Sequence, residues 1–155
     1  MIKLKDILLE STALDIFVPR RIDDRVERLI SRYVRNGSKG NLDLRRMNLT
    51  KLPSILKNVN VDGNFNCAGN NLTSLENVPE NVSGNFNCSN SNKLTSLVGA
   101  PSSIGGDFWC AYCKLTSLTG TPKTVGGNFY CGNNPGKFTE TQVRAVCDVK
   151  GKIFV

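Results

Sequence analysis

The sequence predicts an α/β solenoid: a short parallel sheet built one strand per repeat, with little helix on its outer side and a different cap at each end. Three observations predict it. A five-residue segment recurs every 21 or 22 residues through the middle of the chain. Within that segment apolar and polar residues alternate with the period of a strand. On either side of the repeats the alternation gives way to helical spacing.

The segment reads Gly63-Asn64-Phe65-Asn66-Cys67, then Gly84-Asn85-Phe86-Asn87-Cys88, Gly106-Asp107-Phe108-Trp109-Cys110 and Gly127-Asn128-Phe129-Tyr130-Cys131. Between copies run Leu72-Thr73-Ser74-Leu75, Leu94-Thr95-Ser96-Leu97 and Leu115-Thr116-Ser117-Leu118, each followed by a proline (Pro79, Pro101, Pro122) and an aliphatic residue (Val82, Ile104, Val125). A degenerate earlier unit holds Leu42, Leu44, Leu49 and Leu52. Phenylalanine and cysteine at alternate positions point inward as two columns, and one unit alone cannot cover them. The glycine before each strand suits a tight turn or a positive φ. Prolines in the return segment leave little room for helix there.

The order Phe65-x-Cys67-x-x-Asn70-x-Leu72 resembles leucine-rich repeats of the short, 21–23 residue kind, with Cys113 standing where the first unit has Asn70. The resemblance covers residues 38–136 and implies one continuous curved sheet. It weakens at Met47, at the inserted residue among Ser89–Asn92 and at Pro135-Gly136. The flavour of the units is also similar to repeat proteins of large tailed bacteriophages. The start of the chain, Met1 to Glu10, resembles the packaging peptide of internal head proteins of such phages, with Leu8-Leu9-Glu10 at the cleavage site. The plainer reading of that segment is an amphipathic helix with Ile2, Leu4, Ile7 and Leu8 inward.

Residues 1–37 are read as an N-terminal helical extension and cap, 38–136 as the repeats, and 137–155 as a C-terminal cap. Ile22, Val26, Leu29, Ile30 and Tyr33 form one apolar stripe of a helix over 20–36. Arg21, Arg25, Arg28, Arg32 and Arg35 occupy its other faces as a basic surface. Thr139-Glu140-Thr141-Gln142 reads as a capping box opening a second helix. Lys152–Val155 reads as a last strand.

The formal charge is +7, yet residues 63–136 hold three basic and three acidic side chains. A protein that grips a phosphate backbone concentrates Lys and Arg on its recognition surface. Nucleic-acid binding therefore ranks behind protein binding and rests on the arginine helix alone. Histidine is absent, no apolar run reaches the about 18 residues of a membrane span, and the first residues lack the pattern of a secretory signal. The six cysteines then read as buried thiols of a reducing compartment rather than disulfides. Cys110 and Cys113 form a lone CxxC without a second ligand pair, so no metal and no cofactor is expected. No nucleophile–base pair, paired carboxylate or phosphate loop points to an enzyme.

The outward strand positions carry asparagine in the early units. Trp109 and Tyr130 replace it in adjacent later ones, with Tyr112 just beyond. Exposed aromatics at a sheet centre anchor protein partners. The competing reading is a cross-strand pair that only stabilises the sheet. The expected site is Trp109 and Tyr130, flanked by Asp107, Tyr112, Asn128 and Asn87, and its occupant is a protein. The phage resemblance implies a bacterial host as the source of that protein, and the host cytoplasm or the virion interior as the location.

Overall fold

The computed structural model describes residues 22–155. The packaging and cleavage reading of residues 1–10, and Arg21, lie outside them. A 14-residue helix, α1 (Ile22–Arg35), opens the described chain. Eleven strands of two residues each follow. Six share the phenylalanine alternation or its aliphatic equivalent: β1 (Leu42–Asp43), β3 (Phe65–Asn66), β5 (Phe86–Asn87), β7 (Phe108–Trp109), β9 (Phe129–Tyr130) and β11 (Ile153–Phe154). Five others are β2 (Asn60–Val61), β4 (Asn81–Val82), β6 (Ser103–Ile104), β8 (Thr124–Val125) and β10 (Asp148–Val149). A 3-10 helix, Ser54–Asn58, precedes β2, and α2 (Glu140–Val146) precedes β10.

These strands form two parallel sheets, ordered β1-β3-β5-β7-β9-β11 and β10-β8-β6-β4-β2. Successive strands alternate between them. This corrects the expected leucine-rich-repeat solenoid with its single curved sheet. The segment read as a strandless return carries a second strand in every unit, because Asn81-Val82, Ser103-Ile104 and Thr124-Val125 repeat a polar–aliphatic pair whose aliphatic member is buried. Both sheets also continue beyond residue 136 into the segment read as the C-terminal cap, where β11 falls within the expected last strand Lys152–Val155.

The two sheets enclose one core. Phe65, Phe86, Phe108 and Phe129 are wholly buried in register across β3, β5, β7 and β9. Their ring centroids lie 5.6, 5.4 and 5.1 Å apart, the first two pairs stacked and the last edge-on. Cys67, Cys88, Cys110 and Cys131 run beside them, and Val61, Val82, Ile104, Val125 and Val149 face them from the other sheet. Val26, Ile30 and Tyr33 of α1 join the same core, and the Tyr33 hydroxyl donates to the carbonyl of Ser38 at 2.6 Å. At the other end Thr139 and Gln142 form the reciprocal capping box of α2, and Val143 is buried.

Two polar columns lock consecutive units together. Asn70 is buried: its Oδ1 accepts the N–H groups of Met47 and Leu49 at 2.9 and 3.0 Å, and its Nδ2 donates to the carbonyls of Leu44 and Cys67, both at 2.8 Å. Asn134 does the same work for Leu115, Cys110 and Cys131. Between them stand Ser91, whose buried hydroxyl finds no partner among the described residues, and Cys113, whose thiol donates to the Cys88 carbonyl at 3.5 Å. The second column is Asn41, Asn64, Asn85, Asp107 and Asn128, each accepting the backbone N–H one unit further on at 2.7–2.9 Å.

That stapling draws the backbones so close that a Cβ on Gly106 would collide with Gly84 and with the Asn85 side chain. Close approach, not a positive φ, is what requires glycine there; in that column only Gly40 and Gly63 have a positive φ. Truncating Asn70 to alanine strands four backbone groups, three of them in buried bonds, so Asn70→Ala is expected to cost about 2–4 kcal/mol. Ser91→Ala removes only an unpartnered hydroxyl and is expected to change stability by less than about 1 kcal/mol. Urea denaturation of the two variants checks the contrast.

Candidate functional site

The outward side of the six-stranded sheet carries the aromatic residues. Register places Trp109 opposite Tyr130, and Tyr130 opposite Phe154. The rings stack nearly parallel, with centroids 5.2 Å apart and planes at 7° for the first pair, 4.6 Å and 3° for the second. Cross-strand stacking of this kind follows from parallel in-register strands, since equivalent side chains stand about one strand spacing apart. Trp109 and Tyr130 are half-buried, and Phe154 is 45% exposed. Phe154 extends the expected pair to a ladder of three. Its signal in the sequence is the alternation Lys152-Ile153-Phe154, hidden because α2 interrupts the repeat spacing.

The residues expected to flank the pair separate into two groups. Asp107 and Asn128 belong to the stapling column: the Asp107 carboxylate accepts the N–H of Asn128, and the Asn128 side-chain Oδ1 accepts the N–H of Lys152. Asn128 also donates from Nδ2 to the Tyr130 hydroxyl at 3.3 Å, holding that ring. Asn87 turns its Oδ1 back to the N–H of Ser89, as Asn66 does to that of Ala68. Trp109 and Tyr130 thus stand where the earlier units close a local turn with asparagine.

Tyr112 differs from all of these. It is 60% exposed and has φ +54°. The same position in the other units holds Arg46, Gly69, Asn90 and Asn133, all in the left-handed region. Glycine and asparagine tolerate that conformation; a bulky aromatic does so at a steric cost. Tyr112 covers no core in return.

The arginine helix presents a second surface. Arg25, Arg28, Arg32 and Arg35 are exposed on α1. Arg32 and Arg35 converge with Lys39 on a cleft of about 640 Å³ between α1 and β1, floored by Leu29 and Leu42 and edged by Asp43, whose carboxylate pairs with Arg45 at 2.9 Å.

All six thiols are free and buried. Burial pushes Cys131 and Cys147 up to about 11, and the neighbouring Asp148 charge adds to the rise at Cys147. Desolvation raises Cys88 and Cys110 well above the ordinary thiol value, helped by the charges that adjacent thiolates would carry. Cys110 and Cys113 of the CxxC therefore sit as protonated core groups, Cys113 also raised by burial. Among the described residues no group of three or more His, Cys, Asp or Glu side chains is placed to hold a metal ion, and no helix is long and apolar enough to cross a membrane. Comparison with protein-family models, with curated proteins and with solved structures finds no match to the chain.

Proposed function

We propose that the protein is a binding module whose partner, a protein, docks on the outward face of the six-stranded sheet over Trp109, Tyr130 and Tyr112. The observation that carries this reading is Tyr112: an exposed aromatic held in a left-handed conformation that three of its four repeat equivalents, Gly69, Asn90 and Asn133, satisfy with glycine or asparagine, the fourth being Arg46. Strain at an exposed, contact-ready side chain is retained where it serves a function, because stability alone would remove it. The adjacent Trp109–Tyr130 stack adds rigid apolar area that costs little ordering entropy on binding, and aromatic side chains of this kind dominate interface energetics.

The earlier units supply the control substitutions. Asparagine occupies the Trp109 position in β3 and β5 and the Tyr112 position in two other units. Tyr112→Asn is expected to raise stability by about 0.5–1 kcal/mol by relieving the left-handed strain. The double variant Trp109→Asn/Tyr130→Asn is expected to fold and to lose about 0.5–1.5 kcal/mol of ring stacking. Both are expected to lose at least tenfold in partner capture, measured by pulldown from bacterial lysate followed by quantitation of the retained protein. Unchanged capture by both variants would leave the aromatics as sheet stabilisers only.

A further inference from the structure

We propose that the open edge of β11 pairs with the same edge of a second copy of this chain, giving a closed two-fold dimer joined through both the backbone ladder and the aromatic stack. The two ends of the sheets are unlike. At β1 the helix α1 buries Val26, Ile30 and Tyr33 against the core, and Tyr33 ties the approach to β1 through the carbonyls of Ser38 and Gly40. At the far end α2 covers the interior, where Val143, Cys147 and Val149 are buried. It leaves β11 itself dressed with apolar residues. Of the five exposed large hydrophobic side chains among the described residues, Val146, Phe154 and Val155 stand here, and Ile153 is half-exposed.

The ladder shows what the edge lacks. Each strand donates from alternate N–H groups to the next: Phe108 and Cys110 to the carbonyls of Asn128 and Tyr130, then Phe129 and Cys131 to those of Lys152 and Phe154. Ile153 and Val155 hold the equivalent donors, and β11 is the last strand of the sheet among the described residues. An edge of this kind is a template for a further strand. Neither proline nor an inward-pointing charge within Ile153–Phe154 blocks it; Lys152 lies just before the pair.

Self-pairing is the occupant the chemistry favours. A two-fold axis makes the two edges antiparallel, and faces stay matched only when opposed residues have the same parity. The register that sets Phe154 opposite Phe154 of the second copy puts Ile153 opposite Val155, apolar against apolar on the core side. The outer face of Phe154 receives its symmetry mate, so the three-ring ladder becomes one of six. Head-to-tail stacking would have to fit the β1 end around α1, which packs Val26, Ile30 and Tyr33 into the core there, whereas the two-fold contact uses one edge only and closes at two copies.

Sedimentation velocity across a concentration series tests the proposal on the whole chain. The wild type is expected to shift from monomer to dimer as concentration rises, and Phe154→Glu to weaken the association at least tenfold while its circular dichroism stays that of the wild type. Phe154→Cys places two thiols across the axis and is expected to form a disulfide-linked dimer on mild oxidation, whereas Asn87→Cys on the same face is not. A wild type that stays monomeric throughout, a dimer that survives Phe154→Glu, or equal cross-linking of both cysteine variants would each overturn it. Partner capture through Trp109 and Tyr112 is read separately, so either proposal can fail alone.

Discussion

Phe108→Ala is expected to lower the unfolding free energy by about 3–5 kcal/mol, at the upper end for a single truncation in this chain. Phe108 lies inside the row, stacked on Phe86 at 5.4 Å on one side and edge-on to Phe129 at 5.1 Å on the other. Its removal leaves a cavity walled by two rings whose backbones are stapled by Asn85 and Asp107 and cannot close in. Phe65 meets only one ring of the row, with Leu42 opposite it on β1. Phe65→Ala is accordingly expected to cost less, by about the 0.5–1.5 kcal/mol of one aromatic pair. A domain of this size holds on the order of 5–15 kcal/mol in total, so the Phe108 variant should unfold at visibly lower urea. A loss under about 1 kcal/mol would mean the row does not act as one packed column.

The row itself was legible because four phenylalanines at a fixed spacing leave few ways to be buried together. The second sheet was not. Its strands are two residues long, and a single aliphatic residue after each proline carries no alternation to count. Val82, Ile104 and Val125 were visible as repeated apolar positions, but the leucine-rich-repeat template assigns one strand per unit and absorbed them as the close of a return. The stapling role of Asp107 and Asn128 was illegible for a related reason. Extending the alternation one residue before the strand places them on the exposed face, whereas their oxygen atoms reach along the stack to the next unit. Only contacts between repeats, which no single unit displays, distinguish the two.

The aromatic face was partly legible. Trp109 and Tyr130 break a run of asparagine, and that substitution within an otherwise uniform column is a signal the sequence states openly. Phe154 stacks on Tyr130 from 24 residues further along, across an intervening helix, so no repeat period announces it. The strain at Tyr112 has no sequence signature beyond its kinship with Gly69 and Asn90, a correspondence that becomes meaningful once all of these positions are seen at positive φ.

The buried thiols make a second large effect, on alkaline stability. An ordinary thiol here has a reference pKa of 9.0, and burial raises all six in the folded chain. Below pH 9 both folded and unfolded chains hold these protons, and the thiols add no pH dependence. Above it the unfolded chain releases protons that the folded chain keeps, so stability must fall as pH rises. For Cys131 and Cys147 the fall runs between pH 9 and about 11, where the folded thiols begin to ionise as well. For the fully enclosed Cys67, Cys88 and Cys110 it continues beyond that range. Each such thiol contributes a slope of about 1.4 kcal/mol per pH unit. Urea midpoints measured from pH 7 to 10.5 are expected to be flat below 9 and then to drop steeply, while a thiol reagent at pH 8 leaves the native chain untouched and labels six sites after denaturation. Cys110→Ala provides the decisive comparison. It should be less stable than wild type at pH 7, because a cavity opens beside Phe108 and Cys131, yet its slope above pH 9 should be shallower by the share of one proton. Parallel slopes would show that the alkaline loss comes from lysine and tyrosine titration instead.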